Sequence, residues 1–276
     1  MNEAGSPQTN VLAAEVLAAR DARRQMEPLT EQADGLGLAE AYRVAAEVRR
    51  RREARGERVV GRKIGFTNTT IWAEYGVDAP IWGYVYDTTL HELDADAAPF
   101  DLSALVEPRV EPEIALGIAR SPEPGMDERA LLGCVEWVAH GFEIVQSLFP
   151  GWRFGAADTV AAFGLHGALL LGPRTAISAG DHERWLEQLR SFAITLLQDG
   201  AVADRGRAAN VLGGGPLAAL RHVATVLAAD PASPPIAPGE ISTTGTLTKA
   251  LPIAGGQTWS TQIDGLPIEG VRLRVT

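Results

Sequence analysis

Apolar residues fall into two textures along the chain. Val11, Leu12, Val16 and Leu17 recur at helical spacing, as do Leu38, Tyr42, Val44 and Val48. Pro28 and the Gly35/Gly37 pair interrupt this pattern, so residues 10–55 read as two helices. From residue 59 the chain changes to short apolar runs cut by Gly, Pro and Asp. Strands are expected at 59–67, 110–119, 139–145, 168–171, 191–198, 240–244 and 270–275. Helices are expected at 128–137, 182–189 and 216–228, with a Pro-rich loop over 231–238. Strands outnumber helices and do not alternate with them regularly. That excludes a regular βαβ sheet and points to an α+β chain: an N-terminal helical section, 1–58, and a strand-rich section, 59–276.

The run RVEPEIALGI carries two acids, Glu111 and Glu113, inside an apolar strand pattern. Side chains alternate across a strand, so both acids share a face. Like charges held that close repel unless a cation intervenes. Glu143, flanked by Phe142, Ile144 and Val145, offers a third carboxylate. Three such oxygens would suit a hard divalent ion, Mg²⁺ or Mn²⁺. The alternative is a pair of solvent-facing acids on an amphipathic edge strand, a place that Pro112 suits.

Composition narrows the classes. The chain has 276 residues, 46% hydrophobic and 22% charged, enough for a sizeable core. A net charge of −10 argues against nucleic acid or an anionic membrane as the main partner. The basic run at residues 49–58, RRRREARGER, contains Glu53 and Glu57 and is expected to be a solvated helix end; a nucleic-acid patch is the alternative. Cys134 is the single cysteine, so no internal disulfide forms, and it reads as a small core residue. No stretch is long and apolar enough to span a bilayer, and the first ten residues lack a signal pattern, so the cytoplasm is expected. The Gly213–Gly215 run lacks the Lys-Ser/Thr of a phosphate loop and reads as a turn capping the next helix.

Lys63, in GRKIGFT, lies between small and apolar residues on an expected strand. It can snorkel to solvent, or it can fix a substrate carboxylate or deliver a proton as burial lowers its pKa. His140 and His166 are candidates for proton transfer, because imidazole titrates near neutrality; a structural role is the alternative.

Taken in order, GRKIGFTN, GVDAPIWG, RVEPEIALGI, the Glu143 segment, ADTVAAFG and TTGTLTKALP resemble the fumarylacetoacetate hydrolase superfamily, in its hydratase and decarboxylase branch. The resemblance runs from about Leu38 to the C-terminus. It implies a mixed β-sheet roll with helices outside and an N-terminal helical section. It implies Mg²⁺ or Mn²⁺ on Glu111, Glu113 and Glu143, with Lys63 and Asp78 at the catalytic centre. Gly206, Arg207 and Thr244 match elements near the substrate. A 2-oxo acid would chelate the ion, and the resulting electron sink serves hydration, decarboxylation and C–C hydrolysis alike.

The hydratases of that branch carry an Asp-Asn pair and a Ser where this chain has Ala162, Phe163 and Leu165. An apolar distal pocket disfavours a second carboxylate. The expectation is therefore metal-dependent hydration of a 2-hydroxypentadienoate-type acid. The alternatives are a 4-oxalocrotonate-type decarboxylase, towards which the Ile81 segment leans, a C–C bond hydrolase, and a non-catalytic partner subunit. The resemblance also implies a homo-oligomer or a complex with a related subunit. Trp72, Trp82 and Trp152 are expected on its interface.

Overall fold

A computed structural model describes residues 6–32, 36–75, 77–94, 99–230 and 232–276; Gly35 and Gly76 lie outside them. Helix α1 (Pro7–Asp21) starts where Ser6 Oγ accepts the Thr9 N–H and Pro7 presets the first turn. Helix α2 (Leu38–Ala54) packs its Ala41, Val44 and Val48 against Leu12, Val16 and Leu17 of α1. The same core takes in Ile81, Phe149, Val160 and Phe163, so the helical section is buried against the rest of the chain.

The arginine run is only partly the solvated end expected. Arg49 pairs with Glu53, Arg50 and Arg51 with Glu47, Arg55 with Asp21 and Arg58 with Asp87. Arg52 is instead buried over the Tyr86 ring and bound to Glu57. Each charge is thus matched by an acid, and the stem of Arg52 fills the core.

Strands β1 (Val59–Gly65), β2 (Ile81–Tyr86) and β3 (Leu90–Glu92) follow, with a short helix α3 (Trp72–Tyr75) between the first two. Next come β4 (Arg109–Ile118), α4 (Glu128–Leu132), β5 (Val135–Val145), α5 (Ala156–Ala161), β6 (His166–Leu171), β7 (Thr175–Ala176) and α6 (His182–Ser191). The chain ends with β8 (Ala193–Gln198), β9 (Ala201–Arg207), α7 (Pro216–Ala229), β10 (Ile241–Thr246), β11 (Leu251–Pro252), β12 (Thr258–Asp264) and β13 (Arg272–Arg274). The helix expected over 128–137 stops at Leu132, because Val135 and Trp137 pair with Ile118 and Gly117 of β4. The Trp137 ring lies where a side chain at 117 would stand, and only glycine admits it.

The main sheet runs β2-β1-β10-β4-β5-β6-β3, with β11 beside β4 and β7 beside β5. β1 and β10 are parallel, as are β3 and β6; the other pairs are antiparallel. The sheet curls until β2 touches β6. β4 is therefore a central strand, not the edge that Pro112 suggested. Pro112 is tolerated because the β10 ladder ends with Thr246 opposite Glu113, and the facing Leu247 O accepts instead from the Asn210 amide at 2.8 Å.

Alternation divides the sheet into two faces. Outward, Ile64, Trp82, Tyr84, Ile114 and Leu116 pack under α4, α6 and α7. Also outward, Val110, Phe142 and Ile144 meet a second sheet, β13-β12-β8-β9, through Leu196, Trp259 and Leu273. Truncating the buried Trp259 to alanine would cost about 3–5 kcal/mol. Inward residues are smaller: Val85, Ala115, Ala139, Leu169 and Ile241. Trp82, expected at an interface, is instead buried and stacked on Tyr42.

Candidate active site

The two acids of β4 and the acid of β5 project inward at one end of the roll. Antiparallel pairing sets Glu111 directly opposite Glu143, and Glu113 opposite Gly141. One carboxylate oxygen from each of the three lies within 4.8 Å of the others. Glu113 and Glu143 are buried at 1% and 0% exposure, and Glu111 is half-buried. The solvent-facing alternative is excluded by the curl of the sheet.

Lys63 reaches the same point from β1. Its Nζ lies 3.3 Å from Glu143 Oε2 and donates to Gly164 O at 2.8 Å. The side chain threads past Gly65 and Gly164, where added Cβ atoms would stand 3.3 Å from Nζ and 3.2 Å from Cδ. His166 Nδ1 lies 2.7 Å from Glu143 Oε1, and its Nε2 lies 2.9 Å from Thr89 Oγ1. Gly245 N–H donates to Glu113 Oε2 at 2.9 Å from a left-handed conformation, φ +89°. A Cβ on Gly245 would stand 1.8 Å from Thr67 Oγ1. Gly245→Ala is therefore expected to cost several kcal/mol, combining the strain of a positive φ with that clash. A urea midpoint equal to that of the unmodified protein would contradict this account.

The electrostatics follow from burial and crowding. Burial raises the Glu111 pKa to about 7, with Lys63 opposing and Glu143 adding. Burial, then Glu143 and Glu111, raises Glu113 well above the usual carboxylate range. Burial also works to raise Glu143, but Lys63 and His166 outweigh it and hold that acid down to about 2. Burial alone would lower the Lys63 pKa, as the sequence suggested. Glu143, Glu111 and Glu113 overcome it, and the pKa is raised. Three carboxylates facing one ammonium leave two formal negative charges when all ionise. Among the described residues, the buried Glu113 Oε1 and Glu143 Oε2 accept no hydrogen bond. Clustered oxygen donors, buried oxygens that accept no hydrogen bond and an excess of two charges fit a hard divalent cation.

A cavity beside the acids is lined by Lys63, Glu111 and Thr246, and otherwise chiefly by Phe66, Ile71, Ile81, Val145, Trp152 and Leu165. Phe66, Trp152 and Leu165 hold left-handed backbone at φ +56°, +59° and +65°. Strain at several walls of one cavity is a mark of a working site. Thr244 is buried but spends its hydroxyl on Ile114 O; Thr246, two residues on, lines the cavity.

Four further residues named from the sequence are not brought to the cluster. Asp78 is exposed on the bend ahead of β2 and does not line the cavity. Gly206 packs on the Leu247 backbone, and Arg207 is exposed on β9. His140 lies on the outer face, an odd number of residues from Glu143, with Nδ1 on Glu113 O and Nε2 on Thr261 Oγ1. Burial pushes its pKa down to about 4. In the unfolded chain this ring takes its proton near pH 6.5, so its contribution is complete above that value. The contribution falls away as the pH drops towards 4, by about 3 kcal/mol in all. Urea midpoints from pH 7 to 4 should decline more gently in His140→Gln; parallel profiles would remove this assignment. The sequence reading missed Gly245, Gly164 and Thr89. Of these only Gly245 had a signal, in the Thr-Gly turn.

Fold and site together define a divalent-metal enzyme built on a curled mixed sheet. No family model matches the chain. It is 31% identical over 244 residues to 2-hydroxyhexa-2,4-dienoate hydratase of Comamonas testosteroni, covering 88% of this chain and 89% of that one. It is 30% identical over 240 residues to 4-oxalocrotonate decarboxylase of Pseudomonas sp. strain CF600, covering 86% of each. It superimposes on 4-oxalocrotonate decarboxylase from Pseudomonas putida G7, solved with magnesium and adipate, with a TM-score of 0.87 and 27% identity, over 98% of this chain and 97% of that one. The chain belongs to the hydratase and decarboxylase branch of the fumarylacetoacetate hydrolase superfamily. It is an enzyme, a hydro-lyase or a carboxy-lyase. Among the described residues, no helix is long and apolar enough to cross a membrane.

Proposed function

We propose that this enzyme hydrates a small 2-hydroxypenta-2,4-dienoate-type acid, with Mg²⁺ or Mn²⁺ held by Glu111, Glu113 and Glu143. The observation that carries the choice of substrate is the cavity wall. Beyond Glu111 and Thr246, its described lining residues offer one cation, Lys63, and otherwise chiefly apolar surface. One ammonium matches one carboxylate. A second carboxylate at the distal end would be desolvated against Ile71, Ile81 and Leu165 without a partner.

A divalent ion on the three carboxylates supplies a Lewis acid for the ketone oxygen of a 2-oxo acid. The protein's own groups do the rest. Lys63, held between Gly164 O and Glu143, offers its remaining N–H groups to the substrate carboxylate or to a carbon that needs a proton. Gly245 N–H fixes Glu113, and His166 fixes Glu143. Phe66, Trp152 and Leu165 exclude water from the apolar end. Residues 1–58 act, in this reading, as a helical buttress for a catalytic section over 59–276.

A second reading is decarboxylation of a 4-oxalocrotonate-type dicarboxylate. It is favoured by the whole-chain superposition on the decarboxylase and by the absence, among the described lining residues, of a further base to place water at the distal carbon. Supplying both substrates with Mg²⁺ or Mn²⁺, and following dienol absorbance and CO₂, separates the two. Loss of dienol from the monocarboxylate supports hydration. CO₂ release from the dicarboxylate without that hydration replaces it with the second reading.

We further propose a homo-oligomer, or a complex with a related subunit, joined through the exposed Val11 and Leu38 of the helical section. A monomeric mass by light scattering at micromolar concentration would end that proposal. The cytoplasm is the compartment we assign, in keeping with one buried, unpaired cysteine, Cys134.

A further inference from the structure

Glu143 is the most buried acid of the cluster, and its two oxygens have different duties. Oε2 faces the Lys63 ammonium at 3.3 Å. Oε1 lies 2.7 Å from His166 Nδ1. The register shift between Ile144 and Val145 sets His166 opposite Val145 and brings its ring to that oxygen. Beyond the ring stands Thr89, itself 5% exposed, with Oγ1 2.9 Å from Nε2.

With a neutral ring, every group of this chain is satisfied when the hydrogen bonds run in one direction. Nδ1 beside an ionised carboxylate must carry the proton and donate. A neutral imidazole then has its lone pair on Nε2. The Thr89 oxygen already lies 3.3 Å from the Tyr86 N–H, which it can accept. Its own proton is free to choose between Tyr86 O, at 3.0 Å, and Nε2. Only the second choice satisfies the buried ring at both nitrogens. The Thr89 backbone is also held, since its carbonyl accepts the Leu169 N–H at 2.8 Å.

We propose that Thr89 and His166 are positioning residues that hold Glu143 in its ion-binding orientation, Thr89 acting only through the imidazole. The proposal rests on reading the three acids as a metal site. Outer partners of this kind fix the ring orientation and are worth about 10- to 100-fold in metal affinity. His166 thereby has a role that needs no contact with the substrate.

Manganese titration calorimetry on the purified full chain tests this without reference to turnover. Thr89→Val exchanges the hydroxyl for a methyl of similar size and should weaken Mn²⁺ binding about tenfold. Thr89→Ser should bind like the unmodified protein. His166→Phe should lose at least as much as Thr89→Val, and the double variant no more than His166→Phe alone, because the two act in series. Unchanged Kd in Thr89→Val would overturn the proposal, as would losses that add in full in the double variant. If His166→Phe fails to fold, Thr89→Val against Thr89→Ser decides alone. Glu143→Gln separates the two readings. If it leaves Mn²⁺ binding intact, the metal site itself is wrong. If it abolishes binding while Thr89→Val has no effect, only the positioning role falls.

Discussion

Glu111→Gln is expected to lose Mg²⁺ or Mn²⁺ affinity by at least about 100-fold and turnover by about a thousandfold. Removing an outer partner of a metal ligand already costs about 10- to 100-fold, so removing a ligand costs more. A Lewis acid supplies several kcal/mol of charge stabilisation, and each 1.4 kcal/mol is about tenfold in rate. The metal-free protein should respond in the opposite sense. Glu111 is desolvated and faces Glu143 across the β4–β5 pair, and its pKa is raised to about 7. A neutral amide removes that cost, so the metal-free variant should melt at a higher temperature than the metal-free parent. Saturating metal should stabilise the parent, by about 2.7 kcal/mol at a hundred times Kd, and the variant hardly at all. Equal responses to metal in calorimetric melting would show that Glu111 is not a ligand.

Lys63→Met should separate chemistry from metal binding. Among the described residues the ammonium is the one cation lining the cavity, and it faces all three acids. Without it the cluster is more negative, so metal affinity should hold or rise. Turnover should nevertheless fall by about 10² to 10⁴, the usual worth of a placed proton donor. Lys63→Arg should be nearly as damaging. The lysine passes Gly65 and Gly164, where an added Cβ would already crowd its Nζ and Cδ, and a planar guanidinium cannot reproduce the compact ammonium held there. Normal kcat and KM in Lys63→Arg would defeat the role assigned to this residue.

Much of the fold was legible because period and punctuation are local. The helical repeats of α1, α2, α6 and α7 carried their own signals, and so did the β-branched runs of β1, β4, β5 and β10. Two elements had signals that the reading passed over. IWGYVY, the whole of β2, is a run of aromatic and β-branched residues. Asp199-Gly200, both at positive φ, is the two-residue turn that joins β8 to β9. The faces of β5 were legible too. His140 and Glu143 are three residues apart on one strand, so they could not share a side.

The sequence by itself determined that Glu111 and Glu113 lie on one face, because strand alternation has a period of two whatever the strand packs against. It determined that Lys63 and Glu143 sit in apolar segments where a charge needs a partner. Only the tertiary structure decided that this face turns inward. The curl that brings β2 to β6 is a property of the whole sheet, and no window of residues contains it. Pairing across strands likewise set Glu143 opposite Glu111, carried Lys63 in from β1, and placed Thr89 behind His166, 77 residues away in sequence. The charges of Lys63 and Glu143 were settled there as well. Burial alone would have lowered the lysine and raised the acid. Their meeting inside the roll reversed both, because a Coulomb interaction at 3.3 Å in a poorly solvated site outweighs desolvation.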